Sequence, residues 1–256
     1  MNHIINFEDI STYPKCILEF LSNNPFLQYI YEYTQIVDAD FAYCIKEHFD
    51  GADCLITGIR QDLQDWGFIA YHITRVADIE TIKQHGLKIM TFCEYMNRME
   101  YVFQHILNYT YDEVDRYKNV LREKLIREKA CRIGQLSFFA PPSKYNLEER
   151  DNGYLSLYGL VVGGEVAKQA FQGNKKVFSD LHKLGRTFLI KAKFNILTLL
   201  EHCENDAEGF IYSLLYLAAQ CHYSKHLNDD AIIIGQVNQS VPPEDICEII
   251  PIDDIE

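Results

Sequence analysis

The stretch Phe68 to Leu87, FIAYHITRVADIETIKQHGL, decides how the rest of the chain is read. A short apolar run ends on Tyr71-His72-Ile73-Thr74 and passes into an amphipathic helix. Phe68-Ile69-Ala70-Tyr71 has the composition of a buried strand, and Thr74 or Asp78 can cap the helix that follows. Ile79, Ile82 and Lys83 then recur at helical spacing until Gly86 supplies a left-handed stop. This reading puts His72 at the mouth of a strand. A polar His-x-Thr there is a candidate ligand clamp, although a lone histidine at a strand end is often satisfied by the fold itself.

Composition narrows the possibilities. The chain has 256 residues, 48% hydrophobic and 24% charged, which is ordinary for a globular domain with a sizeable core. No apolar run approaches the ~20 residues of a membrane span, and the N-terminus MNHIINFEDIST lacks a basic, apolar and cleavable leader. A soluble, cytoplasmic protein without membrane partners is expected. Cys16, Cys44, Cys54, Cys93, Cys131, Cys203, Cys221 and Cys247 are scattered with no Cys-x-x-Cys pair. Reduced thiols fit that spacing better than a disulfide framework. His202-Cys203 and Cys221-His222 could supply four metal ligands, but zinc sites favour tighter pairs, and no metal is expected.

A net charge of −13 opposes nonspecific binding to nucleic acid or anionic lipid. The charge is unevenly spread, however. Arg116 to Arg132 holds seven Lys/Arg and two Glu, whereas His226 to Glu256 holds eight acids and no Lys or Arg. One basic face could still meet a polyanion, and the acidic tail offers a partner surface.

Helices are expected over Pro14 to Leu21, Phe26 to Ile36 and Ala39 to Phe49, the last capped by Asp38, with the aromatic stripe of the second packing into the core. Leu87-Lys88-Ile89 reads as a short strand and residues 92 to 131 as one or two charged helices. Gly134 to Ala140 reads as a strand stopped by Pro141-Pro142, and Tyr154 to Phe171 contains a helix. Thr187 to Asn195 alternates as a half-exposed strand, and Ala207 to Leu227 is a long apolar helix. Asp230 to Val237 and Ile246 to Ile250 are strands separated by the turn Pro242-Pro243-Glu244. The order fits a single α+β domain with a split β-sheet, a helical N-terminal region over residues 1 to 66, and a core over 67 to 256 with a helical insertion near 92 to 132.

Three segments resemble motifs of the ADP-ribosyltransferase superfamily. Tyr71-His72-Ile73-Thr74 with the downstream Gly86-Leu87 pair is similar to its first motif. Phe138-Phe139-Ala140 looks like the second, a strand of the type Tyr-Phe-Ala, and Asp230 to Gly235 followed by Val241-Pro242-Pro243-Glu244-Asp245-Ile246 looks like the third. The third is the most telling because acid, strand, turn and next strand follow in order. The resemblance covers about residues 67 to 90, 134 to 172 and 187 to 252.

The resemblance implies a fold that splits the N-glycosidic bond of NAD and passes ADP-ribose to an acceptor. That chemistry needs a ribose clamp, a ring against nicotinamide and a carboxylate facing developing positive charge. By resemblance, His72 with Tyr71 and Thr74 supplies the clamp. Phe138 takes the stacking position, Tyr158 the second aromatic wall with Tyr145 or Tyr154 as alternatives, and Asp230 the acidic position. Two departures stand out: Phe138 replaces the family's Tyr and Asp230 replaces its Glu. The implied activity is mono-ADP-ribosylation of nucleic acid or protein, as in bacterial toxins and phage-defence effectors held by an antitoxin. Two other readings remain, an inactive interaction module and an RNA 2′-phosphotransferase. The latter needs a cluster of cations on the RNA phosphate, and the core motifs show no obvious Arg set. No Walker loop, His-Glu-x-x-His or Gly-x-Ser-x-Gly occurs.

Overall fold

The computed structural model describes residues 3–37, 40–127, 134–140, 170–171, 173–202, 204–224 and 233–252. Strand β1 (His3–Asn6) leads to helices α1 (Lys15–Asn23), α2 (Pro25–Val37), α3 (Phe41–His48) and α4 (Ala52–Asp62). Strand β2 (Trp66–Val76) is followed by α5 (Glu80–His85), α6 (Phe92–Tyr101), a π turn (Val102–Ile106), α7 (Tyr111–Arg127) and β3 (Leu136–Ala140). Then come α8 (Lys175–His182), β4 (Arg186–Asn195), α9 (Ile196–His202), α10 (Glu204–Ala219), a second π turn (Gln220–Ser224), β5 (Ile233–Val237) and β6 (Ile246–Ile252).

The protein is α+β. Its strands form one open sheet in the order β5-β3-β2-β4-β6, with β1 pairing parallel to β2. Strand β2 runs antiparallel to β3 with Tyr71 opposite Phe139. The expected split sheet is thus a single six-stranded one. Its cause is the length of β2: with eleven residues it offers edges to β1, β3 and β4, where the sequence reading stopped it at Tyr71. Ile73, Thr74 and Val76 are β-branched and carry the strand onward.

The chain divides into two compact units, residues 1–71, 138–145 and 192–237, and residues 72–137, 146–191 and 238–256. In the first, α10 is the hub. Phe210, Ile211, Tyr212, Leu214, Leu215, Leu217, Ala218 and Ala219 are buried over most of its circumference, with Ser213 and Tyr216 half-buried on the remaining side, and the helix packs against α1, α2, α3 and α4. An aromatic cluster lies on its part of the sheet, with the Phe68 ring 5.1 Å from Phe210 and 5.6 Å from Phe194. The cap of α3 is Asp40, whose Oδ1 accepts from the Tyr43 amide at 2.7 Å; the expected Asp38 lies outside the described residues.

In the second unit the helical insertion builds its own core from Met96, Met99, Phe103, Tyr109, Val114, Tyr117, Leu121, Leu125, Phe171 and Val177. Two Thr-x-x-Glu boxes start its helices. Glu94 and Thr91 cap α6 reciprocally, and Glu113 and Thr110 do the same for α7. The Tyr109 hydroxyl donates to Asp180 Oδ2 at 2.7 Å, tying α8 to this core.

Candidate functional site

His72 stands inside a strand rather than at its mouth, because β2 continues to Val76. Its Nδ1 lies 2.7 Å from the Ser137 carbonyl. A carbonyl only accepts, so Nδ1 carries the proton and Nε2 keeps its lone pair. The half-buried ring lies deep among protein atoms, and desolvation lowers its pKa while the Ser137 contact opposes this. The result at neutral pH is an uncharged imidazole of fixed tautomer whose Nε2 has no hydrogen-bond partner among the described residues. Such a nitrogen can accept from a hydroxyl.

Thr74 follows two residues later on the same face of β2 and is half-buried. It does not cap a helix, since it is in the strand. Asp78 is not the cap either: Ile79 occupies that position without a side-chain hydrogen bond, and Asp78 Oδ1 accepts from the Glu80 amide at 3.0 Å in a turn that leads into the helix. Tyr71 points to the other face in the first unit, is buried, and stacks on Phe139 with centroids 6.0 Å apart.

The two ends of the first motif are anchored differently. Arg75 spends its guanidinium on the chain, donating through Nε to the Leu184 carbonyl at 2.9 Å, and to the Gly185 carbonyl and Thr187 Oγ1 at 3.0 Å each. Gly185 makes this approach possible. It has φ of +73°, and a Cβ there would sit 2.7 Å from the Ala77 nitrogen and closer still to the Val76 carbonyl. Sequence reasoning passed over Arg75; the signal was a glycine immediately before the strand beginning near Thr187.

Gly86-Leu87 meets the turn of the third motif. The Leu87 amide donates to the Val241 carbonyl and the Val241 amide to the Leu87 carbonyl, both at 2.8 Å. This single antiparallel bridge replaces the expected strand over Leu87-Lys88-Ile89. Ser240 Oγ accepts from the Ile89 amide at 3.2 Å, and α5 packs on the 3-10 turn Pro243–Asp245. Two segments separated by some 150 residues of sequence therefore share a backbone junction.

Phe138 belongs to the first unit and is 2% exposed. Its ring lies 4.9 Å from Phe68 and 5.4 Å from Phe194. The edge carrying Cζ points at Gly235, where an added Cβ would be 2.5 Å away. That contact accounts for both residues. Gly235 gives the ring room, and the absence of a hydroxyl on residue 138 keeps Cζ clear of the β5 backbone. In this conformation the ring serves the core and offers no open face to a ligand.

Asp230 and Tyr158, with Tyr145 and Tyr154, lie outside the described residues, as do the Pro141-Pro142 stop and most of the helix read over Tyr154 to Phe171. Strand β5 begins at Ile233, just after Asp230 in the chain. Among the described residues no group of three His, Cys, Asp or Glu could hold a metal ion, and no helix is long and apolar enough to cross a membrane. No family model, curated protein or solved structure matches the chain.

Proposed function

We propose that the protein is an NAD-dependent mono-ADP-ribosyltransferase acting on a macromolecule, a nucleic acid or a protein, in the manner of a bacterial toxin or phage-defence effector restrained by an antitoxin. The observation that carries this reading is the junction of Gly86-Leu87 with Val241-Pro242. It joins the first and third motifs, which the resemblance alone relates. His72 supports the same reading, because a neutral imidazole with Nδ1 held by Ser137 is suited to accept from a ribose hydroxyl through Nε2.

The fit to NAD is partial. His72, with Thr74 beside it on the strand, would hold the nicotinamide ribose. Phe138 is committed to the core and would not stack on nicotinamide unless it left its place against Gly235. Asp230 is proposed as the carboxylate that faces positive charge in the transition state, and Tyr158 as the aromatic wall. NAD supplies the ADP-ribosyl group and nicotinamide is the leaving group. The chain's part is to orient the ribose and to stabilise the charge that develops on it.

The buried Phe138 favours a second reading, an inactive relative that binds partners without NAD. A 2′-phosphotransferase gains no support from β2, since the Arg75 donors go to Leu184, Gly185 and Thr187. Calorimetric titration with NAD separates the two main readings. Binding by the wild type that weakens about tenfold or more in His72→Ala is expected of the transferase, as for loss of one good ribose contact. An absence of NAD binding would contradict the transferase and favour the interaction module.

A further inference from the structure

We propose that the outward face of α2 is a self-association surface through which the chain pairs with a second copy of itself. Helix α2 has two apolar faces. Leu27, Ile30, Tyr31 and Thr34 are buried within the first unit. Phe26, Tyr29, Tyr33, Ile36 and Val37 point away from it, with Tyr29 62% and Ile36 82% exposed and the other three between 42% and 47%.

The aromatic rings of this outer face lie against one another. The rings of Phe26 and Tyr29 stack with centroids 6.2 Å apart, and those of Tyr29 and Tyr33 at 6.4 Å, both at 20° between planes. Pre-stacked rings lose little freedom on burial, which lowers the entropic cost of association. Phe26, Tyr29, Tyr33 and Ile36 also follow one another at intervals of three, four and three residues. That is the a/d spacing by which one helix packs knobs into the holes of another.

Area and charge select the occupant. At ~200 Å² for a full aromatic side chain, the exposed fractions amount to roughly 500 Å² of apolar surface. That matches the apolar share of a standard interface, about two thirds of ~800 Å² on each partner. It also lies toward the upper end of what a monomer leaves uncovered. Glu32 is the only charged residue of α2, and it accepts from Gln28 Nε2 at 2.8 Å. A seam so nearly neutral has nothing with which to recognise a charged partner. A single-stranded nucleic acid would stack on such rings only beside cations, and α2 has none. For a chain of net charge −13, however, this face lets two copies meet with little repulsion. A seam that is complementary to itself closes as a two-fold dimer.

The test is sedimentation or light scattering of the full chain across the micromolar range, beside a Tyr29→Glu/Ile36→Lys double variant and Ile36→Lys alone. The wild type is expected at twice 29.8 kDa. The double variant should be monomeric, with self-association weakened about a hundredfold or more, as for loss of central anchors from both partners. Its circular dichroism and melting temperature should be unchanged. If the double variant unfolds, the single change at the most exposed position carries the same test. A wild type that stays monomeric throughout the range would overturn the proposal. So would a dimer that persists undiminished in folded variants. Neither result depends on whether NAD is bound or turned over.

Discussion

Gly86 lies so close to Val241 that a side chain between them has no space. A Cβ on Gly86 would be 2.9 Å from the Pro242 carbonyl carbon and nearer still to the Val241 oxygen, and the residue already has φ of +72°. Gly86→Ala therefore combines backbone strain with a collision against backbone that cannot move aside. The expected cost is about 3–5 kcal/mol, a fall in melting temperature of roughly 10 °C. Gly134→Ala is the matched control. Gly134 has φ of +75° but nothing within 4 Å of its added Cβ, so only the strain of about 1–2 kcal/mol is expected. Parallel thermal melts of the two variants check the difference.

The contact between Phe138 and Gly235 makes an unusual demand on a conservative change. Phe138→Tyr adds a hydroxyl at Cζ, the atom that faces Gly235. Overpacking and burial of that hydroxyl are expected to cost about 1–3 kcal/mol in chemical denaturation. Phe138→Ala should cost about 3–5 kcal/mol. If the tyrosine variant were instead more stable and bound NAD more tightly, the ring would be leaving the core for the site.

Much of this architecture was legible in the sequence, and the failures have physical reasons. The strand at residues 68 to 71, the apolar helix after Ala207 and the junction residues Gly86-Leu87 were marked by composition and by a glycine stop. The length of β2 was missed because polar His72 and Thr74 broke the apolar run, although β-branched neighbours kept the backbone extended. The stripe on α2 was expected in the core, yet Phe26, Tyr29 and Tyr33 are exposed. A helix with apolar residues on two sides does not say which side faces inward. Likewise, Phe138 was read by its motif position, and a linear pattern has no means of placing Gly235 against it.

The hydrogen bonds of Arg75 depend on a planar fork reaching two carbonyls and a hydroxyl at once. Arg75→Lys keeps the charge but not the geometry, so a loss of about 2–4 kcal/mol is expected in denaturant unfolding. A loss below about 0.5 kcal/mol, the scale of an ordinary surface substitution, would mean that the loop around Gly185 is held by other contacts.

His72 couples the fold to pH. Its folded-state pKa is lowered by desolvation, so the unfolded chain binds the proton more readily. Its stabilising contribution is complete above the ordinary histidine value of ~6.5 and is lost as pH falls from there through the depressed folded value. Denaturant midpoints between neutral and mildly acidic pH should therefore fall more steeply for the wild type than for His72→Gln. Equal slopes would contradict a desolvated ring.

Label transfer bears most directly on the proposed activity. Purified protein is incubated with NAD labelled in its ADP-ribose half and with cell extract, beside His72→Ala and Asp230→Ala, and the products are treated separately with protease and nuclease. A transferase built on these residues gives acid-insoluble label with the wild type and none with either variant, and the digestion that releases it names the acceptor class. Label that is absent with the wild type, or undiminished in both variants, would contradict the assignment.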